Sequence, residues 1–345
     1  MDALTAPAPD PLAVRQRVIT RAVSAGVAWL ATFFFVFPVA AELAVVTRLL
    51  LFALIVVAPL PLALLAATEK DGRASKMLRL AQRMYLPSAV LAVAAILLPT
   101  GAFAAAFALP WLVFAGLVAL AGAARLRAHP LSQLEELCID AGLLYLPVGG
   151  VWLLLSRLGA NPLNFGDTIV LLTAVHFHLA GYAAPVIAGL AGRRLRELAP
   201  AALPLSRLVA LGIIAGMALV AAGITATAAL GVLLAEAIAV AILALSLLGF
   251  SVLVLFYILP AAEQPGTRLL MLVSGLSPLV TMLVAMAYAA GRFTGAWSIS
   301  IPQMVEWHGW LNALGFVFCG LLAWLLSPST LPNEDRLTEI EPLTE

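Results

Sequence analysis

Residues 208–260 decide the fold class of this chain: LVALGIIAGMALVAAGITATAALGVLLAEAIAVAILALSLLGFSVLVLFYILP. The stretch contains a single charged side chain, Glu236. About 20 consecutive apolar residues suffice for an α-helix to cross the hydrocarbon core of a bilayer. The stretch is long enough for two crossings, and we predict transmembrane helices at 206–229 and 232–260.

The rest of the chain repeats this pattern. Of the 345 residues, 63% are hydrophobic and 11% are charged, whereas about 25% are charged in an average soluble domain. We therefore predict an all-α, polytopic transmembrane helical bundle with about ten spans. The eight further spans are expected at 22–41, 48–67, 82–99, 101–123, 133–155, 167–190, 268–290 and 301–326.

The distribution of basic residues predicts the orientation, because Lys and Arg are enriched in the cytoplasmic loops of membrane proteins. Ten spans place 16 of the 19 basic residues on one side and leave Arg48, Arg157 and Arg292 on the other. We therefore expect both termini in the cytoplasm. The predicted units are a cytoplasmic segment at 1–21, the helical bundle at 22–326 and an acidic cytoplasmic tail at 327–345.

Charge and cysteine content limit the classes of partner. The formal net charge is +1 and the basic residues are spread over several loops, so no nucleic-acid partner is expected. Cys138 and Cys319 both lie in apolar spans and predict no extracellular disulfide framework and no cysteine metal site. The expected partner is the lipid bilayer. The sequence leaves open whether a small solute or a metal ion is a second partner.

Some polar residues near predicted helix ends have the spacing of helix caps. A Ser or Thr followed three residues later by Glu or Gln forms a capping box, and Asp is also a favoured N-cap. We predict three caps, formed by Ser132 with Glu135, by Asp167, and by Ser300 with Gln303.

Seven polar residues are left inside the predicted spans, where ionisable side chains are rare and tend to be functional. The predicted orientation places His176 and His178 near the middle of the bilayer and Asp140 towards the cytoplasmic side. The other four, in the outer half, are Glu236, Glu306, His308 and Asn312.

Helical geometry restricts how the histidines can cooperate. Residues two apart on an α-helix point about 200° from one another, so one of His176 and His178 is expected to face the site and the other a neighbouring helix. His308, Asn312 and Gly315 share one stripe of their helix. We predict that the helices at 167–190 and 301–326 contact each other through Gly181 and Gly315. The predicted site combines His178 or His176 with His308, with Asn312 as a supporting hydrogen-bond partner; simple interhelical hydrogen bonding is the alternative.

Two stretches carry a family resemblance: HFHLAGY at 176–182 and HGWLNALGF at 308–316. Their order and separation resemble the two signature stretches of the YndJ-like family of bacterial membrane proteins. The resemblance covers mainly the C-terminal half of the chain. It implies a multi-pass protein of the bacterial cytoplasmic (inner) membrane, with His176, His178, His308 and Asn312 as hallmark positions, and it implies no particular activity.

Three functions are compatible with these residues. Neutral imidazole is the commonest metal ligand, so the first is a protein that binds a metal ion or haem through His176, His178 and His308. The second is a proton-coupled carrier of a small solute, which midplane histidines, the carboxylates and the helix-breaking Pro147, Pro185 and Pro278 would suit. The third is a sensory or assembly module without turnover. The residues alone do not decide whether the protein is an enzyme.

Overall fold

The computed structural model describes residues 20, 24, 26–34, 41–68 and 73–327. Nine helices within these residues are long and apolar enough to cross a membrane. They are α1 (Leu43–Leu65), α2 (Lys76–Leu97), α3 (Ala102–Leu126), α4 (Leu134–Leu158), α5 (Asp167–Leu198), α6 (Pro200–Leu230), α7 (Leu233–Ala261), α8 (Pro265–Thr294) and α9 (Ile301–Leu326).

These nine helices correspond to the predicted spans from 48–67 onwards, which confirms the all-α membrane bundle. Of the predicted first span, 22–41, the structure describes residues 24, 26–34 and 41, whereas the segments 1–19 and 328–345 lie outside the described residues. The main difference is length. Helix α5 has 32 residues, or about 48 Å at 1.5 Å per residue, and runs well past the predicted end at residue 190 because its charged last turns extend beyond the apolar core.

The helices alternate in direction and pack mostly against their sequence neighbours, and α5 lies near the centre of the bundle. It contacts α4 along its length and also touches α1, α6 and α9. The C-terminal ends of five helices lie at one end of the bundle, here called the arginine-rich end: α1, α3, α5, α7 and α9. Of the described basic residues, only Arg48, Arg157 and Arg292 belong to helix segments at the opposite end.

Five stretches of the helices are wound as wider π-helical turns. A π-turn leaves some carbonyl groups without their usual helical partner, and in α1 two tyrosines supply replacement donors. The Tyr85 hydroxyl donates to the Ile55 carbonyl over 2.6 Å, and the Tyr182 hydroxyl donates to the Ala58 carbonyl over 3.0 Å. The five stretches are Ala53–Val57, Phe177–Ala183, Val254–Ile258, Val305–Gly309 and Leu311–Phe318.

The predicted caps meet different outcomes. Ser300 accepts from the Gln303 backbone and completes a capping box at the start of α9, as predicted. The other two are wrong. Helix α4 follows Gln133 and α5 follows Gly166, neither with a side-chain cap. The reason at α4 is that the Glu135 carboxylate is paired with Arg196 of α5.

Glycines allow α4 and α5 to approach closely. A Cβ at Gly189 of α5 would lie 2.5 Å from the Glu135 carbonyl oxygen, and one at Gly142 of α4 would lie 2.7 Å from the Tyr182 carbonyl oxygen. Both obstacles are backbone atoms, which cannot rotate away as a side chain can. Small residues at such crossings are typical of membrane helix pairs.

Replacing Gly189 with alanine is therefore expected to push α4 and α5 apart and to destabilise the fold by about 1–3 kcal/mol. Gly116 of α3 is the matched control, since a Cβ there would have nothing within 4 Å. Gly116→Ala should be neutral or stabilising by up to about 1 kcal/mol, because alanine favours the helix more than glycine does. Unfolding of both variants in mixed micelles with sodium dodecyl sulfate measures the difference, and equal stabilities would contradict the crossing.

Candidate functional site

Two histidines from different helices face each other in the half of the bundle that lies away from the arginine-rich end. The ring centroids of His176 on α5 and His308 on α9 lie 6.5 Å apart, with their planes tilted by 31°. The His176 side chain is exposed and that of His308 is half-buried. Of the two pairings that the sequence left open, the structure brings together His176 and His308.

Each ring of this pair is fixed by a hydrogen bond to a backbone carbonyl. His176 Nδ1 lies 2.8 Å from the Leu172 oxygen, and His308 Nδ1 lies 2.9 Å from the Thr281 oxygen. A carbonyl only accepts, so each Nδ1 carries a proton and each neutral ring keeps a lone pair on Nε2. The pair therefore presents two basic nitrogen atoms whose rings are held in place.

Asn312 supports His308 through Thr281. The buried Thr281 hydroxyl donates to Asn312 Oδ1 over 2.9 Å, and the carbonyl of the same threonine accepts from His308. The predicted supporting role of Asn312 is thus indirect. The predicted contact through glycines differs as well: the space at Gly315 is filled by Ser277 of α8, and that at Gly181 by Phe177 of α5 itself and Tyr145 of α4.

His178 is directed away from this pair, as the two-residue spacing predicts. It is buried, and its Nε2 accepts from Trp111 Nε1 of α3 over 2.9 Å. Its Nδ1 lies 2.7 Å from the Ala174 carbonyl oxygen. Both ring nitrogens are therefore occupied, which fits a role in joining α3 to α5.

Trp111→Phe is expected to destabilise the fold modestly, because His178 Nε2 would lose its donor while the aromatic packing largely remains. Interhelical hydrogen bonds in membrane proteins are worth about 0.6 kcal/mol on average and about 1.7 at most. Detergent unfolding of this variant and of Trp111→Phe/His178→Phe measures the pair. If the double variant loses about twice the free energy of unfolding that Trp111→Phe loses, the two side chains do not interact directly.

The predicted outer carboxylates do not join the histidine pair. Glu236 of α7 is buried and accepts from Arg292 of α8 over 2.8 Å, so it ties these helices together at the opposite end. Glu306 of α9 is exposed and lines a cavity of about 330 Å³. The histidines, Glu236 and Glu306 therefore occupy separate places.

Asp140 belongs to a buried ionic network at the arginine-rich end. Arg125 of α3 donates to Asp140 over 2.7 Å and to Glu136 over 2.7 Å. Arg193 of α5 donates to both Glu136 oxygens, at 2.6 and 2.5 Å. These four residues, together with the Arg196–Glu135 pair, are called the α3–α5 charge network.

The part of the chain that the structure describes contains no group of three His, Cys, Asp or Glu side chains able to hold a metal ion. The three predicted metal ligands divide into the facing pair and the separate His178. Several residues that sequence reasoning did not assign to a site complete these arrangements: Trp111, Arg125, Glu136, Arg193, Thr281 and Arg292.

The family comparisons cover both histidine stretches. The model of the YndJ-like protein family matches residues 48–316, which run from α1 to the π-turn after His308. The match therefore extends the resemblance from the C-terminal half of the chain to helices α1–α4. No solved structure matches the chain significantly.

A relative from Bacillus subtilis (strain 168), "Uncharacterized membrane protein YndJ", is 31% identical over 240 residues. The match covers 70% of this chain and 41% of that protein, so the chain spans about two fifths of its relative's length. Since the family match includes both histidine stretches and most of the described helices, the chain belongs to the YndJ-like family of membrane proteins.

Proposed function

We propose that this protein is a proton-coupled carrier of a small solute, with His176 and His308 as its proton-binding site. The observation that carries the proposal is the facing pair of imidazole rings, 6.5 Å apart, within two membrane-spanning helices. Imidazole gains and loses protons near physiological pH. Ionisable residues at membrane depth are typical of proton relays.

The pair is suited to one proton at a time. Both rings use Nδ1 for the backbone, so an arriving proton binds at Nε2 of either ring. Once one ring is charged, a second charge at this distance is disfavoured by like-charge repulsion. The site therefore alternates between neutral and singly charged states, as stoichiometric coupling requires.

The two ends of the bundle differ in a way that alternating access requires. At the arginine-rich end, the α3–α5 charge network binds three helices together. At the opposite end, the described residues form cavities of about 330 and 350 Å³, both of which are lined by Val45 and Trp310. The π-turns of α5 and α9 coincide with the histidine stretches, and such turns are frequent at functional sites.

The predicted metal or haem site receives less support from the contacts. Catalytic zinc sites use three protein ligands and structural sites four, whereas the facing pair supplies two nitrogens. A proton site needs no third ligand. The assembly-module alternative leaves unexplained why both Nε2 atoms lack a hydrogen-bond partner among the described residues.

The basic residues indicate how the carrier is oriented. Their accumulation at one end favours that end as the cytoplasmic side of a bacterial inner membrane. The C-terminal end of α9 would then be cytoplasmic, and the His176–His308 pair would lie in the outer half of the bilayer. The N-terminus would be cytoplasmic as well if the predicted span 22–41 crosses the membrane.

Proton movement in proteoliposomes tests the proposal. An inside-negative potential, set with valinomycin and a potassium gradient, drives proton entry, which internal pyranine reports. A panel of amino acids, sugars, organic acids and amines is added outside. At least one class is expected to raise the flux, and His308→Gln should reduce that flux at least tenfold.

His129→Gln is the matched control, because His129 lies in the loop between α3 and α4, well away from the pair. Its flux should equal that of the unaltered protein. Equal flux in His308→Gln and the unaltered protein would overturn the proposal, as would solute-independent flux in every class. Loss of flux on removal of bound metal would favour the metal site instead.

A further inference from the structure

We infer that the cavity beside Glu306 binds a small organic cation with an alkylated ammonium group. This names a solute class for the proposed carrier and so rests on the proposed function for its role in transport. The binding site itself follows from the cavity. Its walls come from α1, α5 and α9, and the lining side chains are Val45, Val46, Thr168, Ile301, Pro302, Val305, Glu306 and Trp310.

The charge of the lining selects the charge of the ligand. Among the lining residues that the structure describes, Glu306 alone carries a charge. Among the described residues, no basic side chain forms an ion pair with Glu306. Nor does α9 need this carboxylate as a cap, since Ser300 and Gln303 already complete the capping box. A cation in the cavity could therefore pair with this carboxylate.

The remaining walls select the shape of the cation. Five of the described lining residues are aliphatic or proline, and Thr168 is the one hydroxyl side chain among them. A primary ammonium group has three donors to satisfy, and the side chains of this lining provide few acceptors. An alkylated ammonium buries its carbon atoms against such a wall and is attracted to the face of a tryptophan such as Trp310.

The volume also fits a small ligand. About 330 Å³ lies at the lower end of the range for ligand pockets, which is about 300–1,000 Å³. The cavity adjoins the end of α9 where the chain leaves the apolar core. An alkylated ammonium could therefore reach it as a free solute or as the headgroup of a choline lipid.

Calorimetric titration of the purified full-length protein tests the site, with choline chloride as the probe. The protein is held in nanodiscs of phosphatidylglycerol, which has no choline. We expect choline to bind at least ten times more tightly than its neutral isostere, 3,3-dimethylbutan-1-ol. Glu306→Gln should lower choline affinity at least tenfold. Glu263→Gln, an exposed carboxylate between α7 and α8, should leave it unchanged.

The source of the cation is separated by repeating the titration in phosphatidylcholine nanodiscs. A headgroup site predicts weaker choline binding there because the lipid competes, whereas a free-solute site predicts equal affinity. No choline binding, equal binding of the isostere, or equal affinity of Glu306→Gln and Glu263→Gln would overturn the inference. None of these results depends on the measurement of proton flux. If choline binds as expected but no solute raises the proton flux, only the proposed carrier function is overturned.

Discussion

Replacing Arg125 with alanine is expected to lower the free energy of unfolding by about 3–5 kcal/mol, the usual cost of removing one partner from a buried ion pair. Arg125 and Asp140 are both almost completely buried. Without the guanidinium group, the buried Asp140 carboxyl group would lose its ion-pair partner, and leaving it either charged or protonated in the bundle is costly. The loss at Glu136 would be smaller, because Arg193 also forms an ion pair with its carboxylate.

Two comparisons make this expectation specific. Arg194→Ala breaks the more exposed Arg194–Glu197 pair, and exposed pairs contribute about 0–1 kcal/mol. Arg125→Met combined with Asp140→Leu removes both buried charges and should recover much of the lost stability. Unfolding with sodium dodecyl sulfate in mixed micelles measures all three. A loss in Arg125→Ala no larger than in Arg194→Ala would show that the network is not structurally important.

The fold was predictable because hydrophobic length is a strong signal in membrane proteins. Every backbone polar group in lipid must be satisfied within a helix or a barrel, so a long apolar run such as 232–260 leaves little choice of structure. Helix ends are different. At Glu135, the local spacing favours a cap, but Arg196 of α5, which is distant in the sequence, is the stronger partner.

The candidate site was predictable only in part. His176 and His178 point in different directions, as their spacing predicts, and α5 meets α9 at His176 and His308. The glycines from which this helix contact was predicted face other side chains. The partners came from elsewhere in the chain. Trp111 and Thr281 carry no motif, and a single sequence does not reveal that they lie beside His178 and His308.

The same limit explains how the embedded charges were interpreted. Asp140, Glu236 and Glu306 were grouped with the histidines because all lie in apolar spans. Two of them have arginine partners, Arg125 and Arg292, that helix packing brings close. Glu306 has no such partner among the described residues, and this difference is visible only in three dimensions. It is why Glu306, and neither of the other two, is assigned a ligand.

We expect the largest functional effect at the His176–His308 pair. Replacing both histidines with glutamine should reduce the solute-driven proton flux no more than replacing either one alone. Each single variant should lose at least tenfold. Residues that act as one unit have non-additive effects, and a proton shared between two facing rings needs both.

Independent sites behave differently, because their losses multiply, and the double variant would then fall about a hundredfold or more. His176→Gln combined with His129→Gln is the matched double control and should equal His176→Gln alone. Labelling with ¹⁵N-histidine gives a second readout, since the chain has four histidines. In the unaltered protein the His176 and His308 signals should titrate together and take up one proton between them. Separate titration of the two signals, or a multiplicative loss of flux, would show that the rings do not share a proton.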